Sequence, residues 1–254
     1  MTGPSTIHVH RIANIDYVRL NRPEVRNAFD EQLISEMTSW ADAAASDASL
    51  RGVVISGNGP TFCAGADLSW MAKMARYSHE ENLRDARAAA AMFAAIDTLP
   101  MPVIAQVHGA ALGGGAGLAA VADIVVSAAD ATFGFTEVKL GLIPAVIAPY
   151  VLAKIGRSAA RELFVSGRRF DAAHARAIGL VHAVVPADEL IGTVNQYLAD
   201  IAANGPEAMG AAKALVRTIA DLSVAEAAPI TAEAIANRRV SAEAQNMMKI
   251  FLKK

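Results

Sequence analysis

The sequence predicts an α/β fold with a helical C-terminal region. Three observations carry this. Short β-rich runs alternate with helix-period segments from the start of the chain to about residue 185. Glycine-rich stretches follow strand candidates at 62–67 and 108–117. The stretch 196–254 is helical in pattern throughout, with polar breaks at 204–206 (NGP), Ser223 and Ser241. The expected division is a core over 1–195 and a helical region over 196–254.

In chain order, IHVHRI (7–12) and IDYVRL (15–20) read as two strands joined at Ala13 and Asn14. Asp30 is a helix N-cap, because Leu33, Ile34, Met37, Trp40, Ala41 and Ala44 then recur at helical spacing. RGVVIS (51–56) is a buried strand closed by the turn signal GNGP (57–60). A helix follows from about Glu80 to Asp97, then the strands PVIAQVHG (102–109) and DIVVSAA (123–129). From Val146 onward the pattern is mostly helical, interrupted by LVHAVV (180–185).

Hydrophobic residues make up 54% of the 254 residues and charged residues 19%, enough for a large core. A formal net charge of -2 gives no basis for binding nucleic acid or an anionic membrane. Cys63 is the only cysteine, which excludes an internal disulfide and fits a reducing, cytoplasmic setting. The N-terminus lacks a cationic start followed by an apolar run, so no signal peptide is expected. The longest uncharged apolar stretch, 109–122, is shorter than the roughly 20 residues of a membrane span. The six histidines include no H-E-x-x-H and no dense cluster, so no metal site is expected.

FCAGAD (62–67) and HGAALGGGAG (108–117) are the candidate chemistry loops. Leu118 stands where a dinucleotide fingerprint needs its last glycine, and no P-loop lysine follows. Two readings stay open. The glycines serve close backbone approach and positive φ, or the loops present free N–H groups at helix starts, where negative charge is favoured. Two such donors on one thioester oxygen would stabilise an enolate.

The runs PTFCAGADL, HGAALGGG and FTEVKLGLIP, in that order, resemble the crotonase (enoyl-CoA hydratase/isomerase) superfamily. LNRPEVRNAF (20–29) and A-x-x-I-G-L-V-H-x-V-V (175–185) extend the resemblance over nearly the whole chain. It implies a spiral of ββα units, with the C-terminal helices packing subunits into a homotrimer or hexamer. The implied oxyanion donors are the backbone N–H groups of Ala66 and Gly114. Asn27, Ala28, Ala64 and Leu68 match positions lining the coenzyme A channel, with Arg26 as a phosphate contact. Phe251 and Lys254 match a C-terminal F-x-x-K pattern that reaches coenzyme A. Coenzyme A is part of the acyl-CoA substrate, and no separate cofactor is implied.

Glu137 is the expected acid/base: the motif places a glutamate there, and the flanking Phe133, Phe135, Val138 and Leu140 predict an apolar lining that would raise its pKa. The sequence departs from the family at Gly117, where typical hydratases carry a second glutamate. The expectation is that Gly117 lies on the acyl-pocket wall opposite Glu137 and leaves space there. Two enzymatic readings survive. One is a hydratase acting through Glu137 alone, which ADLSWM (66–71) and LGLIPAVIAPYV (140–151) favour by their resemblance to bacterial 3-methylglutaconyl-CoA hydratases. The other is a Δ3-Δ2-enoyl-CoA isomerase, for which one carboxylate suffices. A non-catalytic acyl-CoA-binding subunit is the third. The hydratase is placed first. The segment from Met71 to Met74, after Trp70, is expected to form a wall of the acyl pocket, and Cys63 to be a small buried residue rather than a nucleophile.

Overall fold

The computed structural model describes residues 5–253. Its main sheet has six strands in the order β1-β2-β3-β4-β6-β9. β1 (Ile7–Ile12) and β2 (Ile15–Leu20) form an antiparallel hairpin, with Ala13 in the left-handed region at φ 51°. β3 (Gly52–Gly57), β4 (Val103–Val107), β6 (Ile124–Ala128) and β9 (Ala183–Val185) follow in parallel. β3 is buried on both faces, as expected of a covered parallel strand.

A second sheet of three short strands lies in the order β5 (Ala110–Leu112), β7 (Thr132–Gly134), β8 (Arg169–Asp171). It was not expected. It tethers the ends of the glycine-rich and Glu137 loops, because β5 pairs in parallel with β7.

Residues along β3 alternate between two cores. Val53 and Ile55 face the larger one, beneath α1 (Glu31–Ala45), α3 (His79–Asp97), α4 (Gly114–Val121) and α5 (Ala148–Ser166). Val54 faces the smaller one, where Leu190, Val194, Leu198 and Ile201 of α7 (Leu190–Ala202) cover the other side of the sheet. α1 buries the six residues its spacing predicts, and Asp30 accepts from the Leu33 N–H at 2.8 Å.

The expected division at 195 falls inside α7, which packs on the main sheet and so belongs to the core. The helices outside the core are α8 (Pro206–Ile219), α9 (Val224–Val240) and α10 (Ala242–Phe251), none with a buried residue. Two short helices complete the chain: α2 (Leu68–Met74) and α6 (Ala172–Ala177).

Candidate active site

The two glycine-rich loops lie side by side because the backbone stitches them together. Cys63 N–H donates to Ala110 C=O at 3.0 Å, and Leu112 N–H donates to Cys63 C=O at 3.0 Å. Gly65 sits at φ 97°, and a Cβ there would come 3.0 Å from the Leu112 carbonyl and 3.8 Å from Gly113 Cα. Only glycine allows both the dihedral and the approach.

Phe29 N–H donates to Gly65 C=O at 2.7 Å, and Asp67 N–H donates to Phe29 C=O at 2.9 Å. These bonds use the residues on either side of Ala66. In a parallel bridge the intervening N–H points the other way, and Ala66 is exposed. Across from it, Gly113 (φ 50°) is the N-cap of α4, and Gly117 N–H makes the first helical bond to Gly113 C=O. The first-turn amides, Gly114's included, therefore have no acceptor within the helix.

Gly114 is tightly held: a Cβ there would stand 2.9 and 3.0 Å from two ring atoms of Phe29. Gly114→Val is expected to lower kcat/KM by about a hundredfold or more, the scale of losing one such donor. Steady-state kinetics on an enoyl-CoA, with circular dichroism to verify the fold, check this. Near-normal turnover would place the donor elsewhere.

Glu137 opens a 3-10 turn (Glu137–Leu140) closed by Gly141 at φ 72°. Its carboxylate lies beside the start of α4, with Oε1 3.2 Å from where a Gly113 Cβ would stand. Its other oxygen, Oε2, is buried with no hydrogen-bond partner among the described residues. Burial raises the Glu137 pKa. Phe133 and Phe135 are fully buried and anchor this segment, but Leu140 points outward, against expectation.

Ala66, Gly114 and Glu137 line one cavity of about 610 Å³. Its walls are otherwise mostly apolar and include Met74, as expected, and Trp70 just before that segment. Among the described residues, Asp85 is its other ionisable residue, and no lysine, arginine or histidine lines it.

Gly117 does not line this cavity. It is buried in α4, and a Cβ there would overlap Cγ2 of Ile147, which does line it. The expectation of open space at Gly117 is therefore corrected: an isoleucine from the start of α5 fills it.

Arg26, Ala28 and Ala64 gather beside the Ala66 loop, where Ala64 N–H donates to Arg26 C=O at 3.0 Å and Arg26 is exposed. Leu68 is exposed on the same rim. Asn27 differs: fully buried, it donates to Asn58 C=O at 2.9 Å and Thr61 C=O at 2.7 Å and accepts from Arg22 N–H at 2.9 Å. With all three contacts inside the protein, it holds the loop instead of facing a ligand. Phe251 is exposed at the end of α10 and does not line the cavity, and Lys254 lies outside the described residues. Burial pushes the Cys63 thiol up to about 12, so it stays neutral.

Arg22 and Asp67 were not singled out by the sequence. Arg22 Nη2 lies 2.9 Å from both Asp30 and Asp67, and its other nitrogen donates to Ala28 C=O. Asp67 in turn caps α2 through Ser69 N–H at 2.7 Å. Arg22 thus ties the Phe29 and Ala66 segments together. Arg22→Ala is expected to cost about 3 kcal/mol, toward the lower end for stranding a buried carboxylate, read as a lower urea midpoint. An unchanged midpoint would mean the clamp is superfluous.

The chain matches the enoyl-CoA hydratase/isomerase family over residues 10–254. It is 35% identical to the 2,3-dehydroadipyl-CoA hydratase of Escherichia coli over 214 residues, 84% of this chain and 82% of that one. Among solved structures, it is similar to one from Legionella pneumophila described as an enoyl-CoA hydratase/isomerase (crotonase). The TM-score is 0.93 at 43% identity, covering 99% of this chain and 97% of that one. An enoyl-CoA hydratase from Shewanella pealeana gives a TM-score of 0.94 at 35% identity, covering 98% of this chain and 93% of that one.

Proposed function

The chain belongs to the enoyl-CoA hydratase/isomerase family, within the crotonase superfamily, and on that premise we propose that it adds water to a 2-enoyl-CoA through Glu137 alone. One observation carries the reading: half-buried Glu137, whose Oε2 has no hydrogen-bond partner among the described residues, shares an apolar cavity with Ala66 and Gly114. Ionised Glu137 takes a proton from water as the oxygen attacks C3. The electron pair moves onto the thioester oxygen, where the Ala66 and Gly114 N–H groups stabilise the enolate. Protonated Glu137 then returns the proton to C2, and the net change is addition of water.

The isomerase reading keeps one supporting observation. α4 carries no carboxylate, and Ile147 occupies the ground beside Gly117, so no second acid assists Glu137 from that helix. A single carboxylate can carry a proton between C2 and C4. The test is purified protein on crotonyl-CoA, 3-methylglutaconyl-CoA and 3-hexenoyl-CoA, following loss and gain of the conjugated thioester absorbance. Hydration of crotonyl-CoA supports the proposal; conjugation of 3-hexenoyl-CoA without hydration overturns it in favour of the isomerase. Binding of acyl-CoA with no turnover would leave a non-catalytic subunit. An uncharged acyl group suits the cavity better than 3-methylglutaconyl, since among the described residues no cation lines it to offset a second carboxylate.

The proposal includes a homotrimer or hexamer built on the C-terminal helices. Val216, Val224, Val240, Ile250, Phe251 and Leu252 are all exposed there, an apolar surface suited to a subunit interface. Light scattering on the purified chain reads the mass. Among the described residues, no helix is long and apolar enough to cross a membrane.

A further inference from the structure

Phe29 stands between the two donor loops and touches each in a different way. Its backbone bridges the first. Phe29 N–H donates to Gly65 C=O at 2.7 Å and Phe29 C=O accepts from Asp67 N–H at 2.9 Å, with Ala66 between those partners. Its ring meets the second. The three nearest atoms to a Cβ built on Gly114 all belong to that ring, at 2.9, 3.0 and 3.9 Å.

The chain neighbours of Gly114 are held elsewhere. Gly113 N–H donates to Gly134 C=O at 2.8 Å, and a Cβ on Gly115 would overlap the Cys63 carbonyl. Gly114 has no side chain to lock its own amide, so contact with the ring limits how closely its turn approaches the Ala66 loop.

Phe29 is itself immobilised. Arg22 holds both its chain neighbours, donating to Ala28 C=O and pairing with Asp30 at 2.9 Å. The same guanidinium reaches Asp67, just beyond Ala66, at 2.9 Å. The ring packs on Phe93 of α3 with centroids 6.1 Å apart, and Phe93 on Tyr150 of α5 at 6.2 Å. A shorter side chain would leave a void that the surroundings close only in part, by moving.

Resting on the reading that the Ala66 and Gly114 N–H groups hold the thioester oxygen, we propose that Phe29 is a positioning residue that sets the spacing of these two donors.

The ring also lines the cavity, so a loss of affinity alone would not isolate this role. Infrared spectroscopy of bound butyryl-CoA, carrying carbon-13 at its thioester carbon, isolates it. The acyl chain is saturated and cannot be hydrated, and hydrogen bonds to the thioester oxygen lower the carbonyl stretching frequency. Wild type should show that downshift. In Phe29→Ala and the milder Phe29→Leu the bound thioester should keep about half of it or less, because a hydrogen bond weakens steeply as its geometry departs from the ideal. On crotonyl-CoA, kcat should fall by about a hundredfold in Phe29→Ala, the scale of an ångström of misplacement. Leu198→Ala, which opens a void in the smaller core, should keep the full downshift. Gly114→Ala retains its N–H but presses on the ring, so it should cost downshift in wild type and much less in Phe29→Ala.

Melting temperatures identify a Phe29→Ala chain too unstable to read, and Phe29→Leu then decides, with the Gly114→Ala comparison made in that background. A full downshift in the Phe29 variants, an equal loss in Leu198→Ala, or the same Gly114→Ala loss with and without the ring overturns the inference and leaves the donor reading standing. No downshift in wild type with butyryl-CoA bound sinks the donor reading, and this inference with it.

Discussion

Glu137→Gln is expected to lower kcat by about a hundredfold or more, the usual scale for a positioned acid or base. Glutamine keeps the size of the side chain and cannot take a proton from water. The loss should come without unfolding. Burial raises the Glu137 pKa, so between the unfolded and folded values the native chain keeps a proton that the unfolded chain has released. Stability from this group falls as pH rises through that window and stays reduced above it. Glutamine carries no such cost, and at neutral pH the variant should melt at the wild-type temperature or higher. The same shift sets the pH profile. Hydration needs the ionised carboxylate, so kcat/KM should fall as pH drops through a value above the ordinary one of about 4.3 for glutamate, and that limb should vanish in the variant. Near-normal turnover, or a variant that loses activity only because it unfolds, would remove Glu137 from the role.

What the sequence made legible follows local periodicity. β2 and α1 were readable because their alternation and 3.6-residue spacing match the faces they bury, whereas β1 alternates in sequence but buries only Ile7. β5, β7 and β8 were not, because three residues each (AAL, TFG, RFD) are too short to show a period. α7 begins at Leu190, before its expected start, because its apolar residues answer to the far face of the main sheet, which periodicity alone does not reveal. The residues of the site divide the same way. Glu137 and the two loops sit in contiguous motifs. Arg22 meets Asp67 across 45 positions, and Asp85 meets Trp70 between two helices, so neither pair leaves a local signature. At Gly117 the sequence showed which side chain was missing but not what replaced it, since Ile147 arrives from another element.

Gly117→Glu is accordingly expected to destabilise the fold by about 3 kcal/mol or more, the scale of a buried charge left unpaired, instead of installing a second base. Every residue of α4 from Gly115 to Val121 is buried, so no face of this helix is free to take a carboxylate. The first added carbon alone would overlap Cγ2 of Ile147 and stand 3.2 Å from a ring atom of Phe93. Overpacking of this kind is itself costly. Ile147 has little room to retreat, being 3% exposed within the larger core. The carboxylate would then lie among apolar groups beside a cavity that no cation lines. Urea unfolding reads the loss as a lower midpoint, and activity on crotonyl-CoA should fall with it. Adding Ile147→Ala opens the space the new side chain needs, so the double variant should recover part of the stability and bring its carboxylate toward Glu137. A single Gly117→Glu variant as stable as wild type, with faster hydration of crotonyl-CoA, would show that Ile147 yields easily and that the missing glutamate alone limits the reaction.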